Sequence, residues 1–153
     1  MFQRWVTRSP RIVAGVWFAV AGVAPMAVFF LQSIIQTADA QAFLQVIVLP
    51  LVAVGLVGSW LGAAIVRRPH GVVRTFLRGM AVALGSSVLF AFLFSIVDAL
   101  TQPAKSSFLT EVVAKTWMVV FTGLALTGWI VLPIGGVAGL LLHLIARGGG
   151  ASK

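Results

Sequence analysis

Charged residues divide the chain into four long apolar windows. Asp, Glu, Lys and Arg are absent from residues 12–38, 40–66, 79–97 and 116–146. A helix needs about 20 mostly apolar residues to cross the ~30 Å hydrocarbon core of a bilayer, and each window meets or nearly meets that length. The runs do not alternate as membrane β-barrel strands do, so helices are favoured. The pattern predicts four transmembrane helices, at about residues 12–35, 43–66, 76–98 and 116–146.

Composition supports this fold class. The chain has 153 residues, of which 60% are hydrophobic and 9% are charged, whereas soluble domains carry about 25% charged residues. That balance excludes an ordinary water-soluble domain. We therefore predict an all-α integral membrane protein in which residues 1–153 form one transmembrane domain, a compact four-helix bundle. The glycine-rich residues 148–153 are predicted to be a flexible tail.

The net charge of +8 is distributed unevenly between the predicted loops. Nine of the eleven Lys and Arg residues precede the first window, lie between the second and third, or follow the fourth. Only Lys105 and Lys115 lie on the opposite side, together with all three acidic residues. Because cytoplasmic loops carry the excess of Lys and Arg, both termini are predicted to be cytoplasmic, in a multi-pass protein of the cell (plasma or inner) membrane.

The first window has an alternative interpretation as a secretory signal. It follows a basic segment and ends near Ala38-Asp39-Ala40, a small-x-small pattern that resembles a cleavage site. The apolar run from Ile12 to Leu31 is longer than the 7–15 residues that are usual in a signal peptide, which favours a retained helix. Cleavage would leave a mature protein that starts at Gln41 and has three helices.

Small residues recur along the predicted helices at spacings of four. The third helix carries five of them in register: Gly79, Ala83, Ser87, Ala91 and Ser95. Further pairs with this spacing are Gly58 with Gly62 and Gly135 with Gly139. Small residues let helix backbones approach closely in a membrane. We favour packing within the bundle, and docking against another subunit or a second copy is the alternative.

Three prolines lie inside the predicted helices, at Pro25, Pro50 and Pro133. Each removes a backbone donor and clashes with the preceding turn, so each is expected to kink its helix. Pro133 closely precedes Gly135 and Gly136, which is also compatible with a hinge or a broken helix at a binding site. We favour a static bend because no charged group lies nearby in the sequence.

Two ionisable residues are candidates for a polar site. Asp98 lies at the outer end of the third helix, where it could receive an ion or a proton or simply mark the headgroup level. His143 shares a helix face with Gly135, Gly139 and Arg147. It could be a haem ligand or a member of a proton relay, but we favour an interfacial histidine that reaches water.

The remaining polar residues near the fourth window predict a helix start. Ser106 or Ser107 could cap a helix that begins before the membrane, in which Glu111 and Lys115 form an i,i+4 pair. This helix could continue into the fourth span or lie along the interface. No pair of carboxylates is expected to share a site in the membrane core, because the three acidic residues lie near the outer surface and far apart in sequence.

The basic connection between the second and third helices is predicted to contact the anionic inner leaflet through lipid headgroups. Its residues are Arg67, Arg68, Arg74 and Arg78. An acidic partner protein is the alternative. Nucleic-acid binding is not expected, because the charges are dispersed over short loops without a folded platform.

No residue pattern in the chain predicts catalysis, a cofactor or a metal. Cysteine is absent, and neither the zinc motif H-E-x-x-H nor the nucleophile motif G-x-S-x-G occurs. We therefore expect a non-enzymatic accessory, assembly or regulatory subunit of a membrane complex. The alternative is a small homo-oligomeric channel or transporter for a neutral or weakly polar solute. Asp98 would lie at its mouth, and its pathway would be lined by Ser86, Ser87, Ser95, Thr122 and Thr127.

Overall fold

A computed structural model of the chain describes residues 9–22, 40–67, 71–101 and 107–148. Within these ranges the chain forms helices and no strand. We number the helices α1 (Pro10–Gly22), α2 (residues 40–67), α3 (Val72–Thr101) and α4 (Phe108–Gly148). The all-helical class predicted from the sequence is therefore confirmed for the described residues.

Three of these helices are long and apolar enough to cross a membrane. They are Leu44–Arg67 within α2, with 24 residues, Val72–Thr101 with 30 and Phe108–Arg147 with 40. These ranges contain almost all of the second, third and fourth predicted spans. Residues 23–35 of the first predicted span lie outside the described residues, as do Pro25 and the candidate cleavage site near Asp39.

The helices α3 and α4 extend beyond the predicted spans because their polar ends remain helical. The start of α4 at Phe108 is stabilised by a hydrogen bond from the Glu111 N–H to the Ser107 carbonyl, at 3.1 Å. The predicted helix start near Ser107 is thus confirmed, and this helix continues into the fourth span. Gly148 is the last residue of α4, and residues 149–153 of the predicted tail lie outside the described residues.

Wide helical turns interrupt α2 at two places. Residues Leu44–Val48 and Gly58–Gly62 form π-helical turns, and the Leu49 N–H bonds to the Leu44 carbonyl five residues earlier. Pro50 follows the first of these turns. A proline ring presses on the preceding turn of an α-helix, so the wider turn relieves the clash that Pro50 would otherwise make.

Pro133 does not break α4. The helix is continuous from Phe108 to Gly148 with Pro133 inside it. The broken-helix interpretation of Pro133 and the following glycines was therefore wrong.

Consecutive helices pack side by side and run in opposite directions. The α1–α2 pair meets at Gly15 and Gly55, and Gly85 of α3 lies against α2. A contact between α1 and α4 closes the ring of helices: the Trp17 indole N–H donates to the Ala138 carbonyl at 2.9 Å. The main apolar core lies around this contact and comprises Val13, Ala14, Phe18, Ile65, Val82, Ala138 and Leu142.

The described charges collect at the two ends of the bundle. We define the arginine end by the residues that lie where α1 and α3 begin and α2 and α4 finish: Arg11, Arg67, Arg74, Arg78 and Arg147. We define the acidic end by Asp98, Glu111 and Lys115, where α3 finishes and α4 begins. The bundle is therefore electrostatically polarised along its axis.

Candidate functional site

The acidic end contains a three-residue ionic cluster that joins α3 to α4. The Lys115 ammonium lies 2.7 Å from Oδ2 of Asp98 and 2.8 Å from Oε1 of Glu111. The i,i+4 pair expected from the sequence is present. Asp98 and Glu111 share Lys115 at the acidic end although they are far apart in sequence, because α4 folds back antiparallel to α3 and brings Asp98 to Lys115, 17 residues later in the chain.

The cluster holds one carboxylate oxygen in an unsatisfied state. Oε2 of Glu111 is buried and has no hydrogen-bond partner, whereas Oε1 bonds to Lys115. The cluster has two acidic groups and one ammonium, so its net charge is −1 when all three are ionised. We interpret the cluster as a clamp between two helix ends, because hydrogen bonds between charged groups at 2.7–2.8 Å are stronger than those between neutral groups.

Backbones of α3 and α4 meet at a glycine crossing near the arginine end. A Cβ atom built on Gly135 would lie 2.6 Å from Cβ of Ala83 and 2.8 Å from the carbonyl oxygen of Gly79. A Cβ atom on Gly139 would lie 3.0 Å from the Gly79 Cα. Real Cβ atoms do not approach so closely without displacing the backbone, so the contact requires glycine. The structure thus places part of the predicted small-residue seam between two helices of the same chain.

A second glycine crossing joins α1 to α2. Cβ atoms built on Gly58 and Gly62 would lie 2.9 Å and 2.8 Å from atoms of the Phe18 side chain. The π-helical turn of α2 coincides with these two glycines, and Phe18 is buried against them. Sequence spacing identified Gly58 and Gly62 but gave no sign of the wide turn or of the aromatic ring that fills it.

The part of the α3 seam that is nearer the acidic end is also shielded. Ala91 and Ser95 are fully buried, and Ser87 is half-buried. The hydroxyls of Ser86, Ser87 and Ser95 donate to the carbonyls four residues earlier in α3, at 2.7–2.9 Å. These bonds satisfy the hydroxyl protons inside the helix itself.

The threonines proposed to line a pathway lie elsewhere. Thr122 and Thr127 are exposed on α4, and the Thr127 hydroxyl donates to the Gly123 carbonyl at 2.8 Å. The structure therefore does not bring Thr122 and Thr127 together with the serines of α3 in one enclosed space.

His143 is buried, contrary to the expectation of an interfacial histidine that reaches water. Its residual exposure is 4%, and neither ring nitrogen has a hydrogen-bond partner. The reason is the helix face that it shares with Gly135 and Gly139, which packs directly on α3. Thr75 of α3 is fully buried as well, and its hydroxyl oxygen also lacks a partner. Sequence analysis missed Thr75.

The described arginines differ in their surroundings. Arg67, Arg74 and Arg147 are exposed, as headgroup contact would require. Arg78 is half-buried, and its Nη1 donates to the Ala64 carbonyl of α2 at 3.3 Å. Arg78 therefore also ties α3 to the end of α2. Arg68 lies outside the described residues.

The middle of α4 is covered on one narrow stripe only. We define the mid-α4 segment as residues 121–127, in which every residue is exposed except the half-buried Leu124. The exposed fractions of Phe121 and Leu126 are 66% and 68%. A Cβ atom built on Gly123 would meet no atom within 4 Å. Two helical turns of α4 thus present small and polar residues, as well as large apolar ones, to the surroundings.

A shallow groove of about 560 Å³ runs along α3. Apolar residues between Ala81 and Phe92 form most of its wall, and Thr116 of α4 contributes the one hydroxyl. That hydroxyl donates to the Val112 carbonyl at 2.7 Å. With no charged side chain in its wall, the groove presents a surface for apolar contact rather than for acid–base chemistry.

In the described part of the chain, no three His, Asp or Glu side chains form a group that could hold a metal ion. The fold and the site thus define a helical chain with three helices suited to a membrane, two glycine crossings and an ionic clamp. Comparison with family models, with curated proteins and with solved structures found no match.

Proposed function

We propose that this chain is a non-catalytic, multi-pass membrane protein that acts as an assembly or regulatory subunit of a larger membrane complex. The observation that carries the proposal is the mid-α4 segment. Helix association in lipid favours small residues that let backbones approach and polar side chains that bond across the contact. Gly123 and Thr127 are spaced by four residues, both are exposed, and they form a small polar face on α4.

The internal chemistry of the bundle supports the same proposal. Asp98, Glu111 and Lys115 are engaged with one another, and Arg78 bonds to a backbone carbonyl. Such contacts hold the helices of the bundle in place, and the exposed mid-α4 segment takes no part in them.

We further propose that both termini are cytoplasmic and that the arginine end contacts the anionic inner leaflet of the cell membrane. The support is the excess of Lys and Arg on that side, together with the clustering of the described arginines at one end of the bundle. A cytoplasmic reporter fused after Lys153 should be active, and the same reporter inserted between residues 102 and 106 should be inactive. The reverse pattern would overturn the orientation.

The assembly role is tested by native mass measurement after purification in a mild detergent. We expect the wild-type chain to be found in a complex of defined mass. Gly123→Leu places a bulky side chain on the mid-α4 segment and should abolish that complex. Gly55→Leu on α2 is the matched control: the Gly55 carbonyl oxygen faces Gly15 of α1, but a Cβ atom on Gly55 points away from that contact and likewise meets nothing within 4 Å.

Two outcomes would overturn the proposal. One is a wild-type chain that is strictly monomeric with no co-purifying protein. The other is loss of the complex in the Gly55 variant and its retention in the Gly123 variant. A pathway for a neutral solute would instead be revealed by flux in liposomes above that of empty vesicles.

A further inference from the structure

Two buried polar side chains lie on the facing sides of α3 and α4, next to the glycine crossing. A Cβ atom on Gly139 would lie 3.0 Å from the Cα atom of Gly79 and 3.1 Å from the carbonyl oxygen of Thr75, which points along α3 toward Gly79, so Gly139 and Gly79 lie at about the same level. His143 is four residues further along α4, on the same face as Gly139. At 1.5 Å per residue it is about 6 Å closer to the arginine end than Gly139 is, and Thr75 is displaced equally from Gly79, so Thr75 and His143 lie at about the same level.

Each of these groups is buried without a hydrogen-bond partner from the described protein atoms. Thr75 is 0% exposed and His143 is 4% exposed, and the unpartnered atoms are Oγ1 of Thr75 and both ring nitrogens of His143. Buried polar atoms in folded proteins are almost always bonded, to protein or to an internal water. Thr75 is unusual here, because the other hydroxyls along α3 bond back to their own helix.

We propose that Thr75 and His143 form a buried binding site for one water molecule, which bridges the two side chains within the α3–α4 interface. A neutral imidazole offers one donor and one acceptor, and a hydroxyl offers a donor and two acceptor sites. Water can complement both groups at once, and it is small enough for a contact between closely packed helices.

The site has a consequence for the register of the two helices. The glycine contacts let the backbones of α3 and α4 approach only where the glycines meet, and a hydrogen-bonded bridge adds a directional contact to that arrangement. A hydrogen-bonded bridge selects the position in which Thr75 and His143 face each other. Buried polar groups that fix register in this way are known from other helix assemblies.

A double-mutant cycle on the purified full chain tests whether the two side chains share one ligand. Thr75→Val removes the hydroxyl at almost constant volume, and we expect the unfolding equilibrium constant in detergent micelles to rise about tenfold. His143→Leu should raise it at least as much. The double variant should resemble the more damaging single variant, because either substitution already removes the bridge.

Thr116→Val is the matched control, since its half-buried hydroxyl bonds to the carbonyl of Val112 in the same helix. We expect its unfolding constant to change about threefold or less. A Thr75→Val variant that is more stable than the wild type would overturn the proposal, because removing a truly unbonded hydroxyl relieves a desolvation cost. Multiplicative effects of the two single substitutions would overturn it as well.

Nuclear magnetic resonance provides a measurement that does not depend on stability. The His70→Asn variant leaves His143 as the only histidine in the chain. Its imidazole N–H should show cross-relaxation with a bound water proton, and Thr75→Val should abolish that signal. An imidazole proton that shows no contact with water in the folded protein would overturn the proposal.

Discussion

The glycine crossing between α3 and α4 leads to a quantitative prediction for Gly135→Ala. In an open helix position, Gly→Ala usually stabilises by about 0.5–1 kcal/mol, because alanine loses less backbone entropy on folding. At Gly135 the new methyl group would lie 2.6 Å from Cβ of Ala83. Carbon atoms in favourable contact are about 3.5–4.0 Å apart. The two helices must therefore separate locally by about 1 Å.

Gly123→Ala is the control that isolates the cost of this separation. Gly123 lies in the same helix, and nothing is within 4 Å of its built Cβ atom. The helix-propensity gain is shared by both variants and cancels in their difference. The remaining difference is the cost of overpacking, which is about 1–3 kcal/mol when a methyl group is forced into a close-packed contact.

The free energy of unfolding in detergent micelles, measured by reversible denaturant titration, checks this prediction. We expect Gly135→Ala to be less stable than Gly123→Ala by about 1–3 kcal/mol. Equal stability of the two variants, or a more stable Gly135→Ala protein, would refute the backbone contact between α3 and α4.

Three further predictions concern single contacts, each measured by the same denaturant titration. Trp17→Phe should lower the free energy of unfolding by about 1 kcal/mol, through loss of the bond to the Ala138 carbonyl. Trp129→Phe should have a smaller effect, because that indole is exposed and bonds within its own helix. Phe18→Ala should cost about 3–5 kcal/mol, because it empties the space against the α2 glycines; a loss below 1 kcal/mol would contradict this packing. Lys115→Met should destabilise more than neutralising either carboxylate alone, because it leaves two acidic groups facing each other; the opposite order would argue against a shared ammonium.

The sequence was sufficient to predict the helical class and the position of the long apolar helices. Windows without charged residues indicate where a helix can contact lipid without burying a charge, and that signal is strong in residues 116–146. They do not report where a helix begins, because the polar first turn of α4 from Phe108 is stabilised by local pairs that a hydropathy pattern ignores. The apolar windows alone therefore miss the helix limits by several residues, and the start of α4 is predicted instead from Ser106 and Ser107.

The site residues were predicted with uneven success for a related reason. Four-residue spacing identified Gly135 and Gly139, because periodicity marks a helix face. It could not show that this face meets α3, and so the burial of His143 was missed. The Asp98–Lys115 contact is also invisible to local patterns, because it depends on where a neighbouring helix returns. The opposite charges at facing ends of two adjacent helices were the one available signal.

The two glycine crossings also bear on how the bundle assembles. Each joins helices that are neighbours in the chain, α1 with α2 and α3 with α4. The contacts between the two pairs use larger side chains, such as Val57 of α2 against Gly85 of α3. The molecule can thus be viewed as two helical hairpins, each closed by contacts between helices that follow one another in the chain. Each hairpin can insert and close as a unit, and the bundle then forms by docking two preformed hairpins rather than by sorting four separate helices.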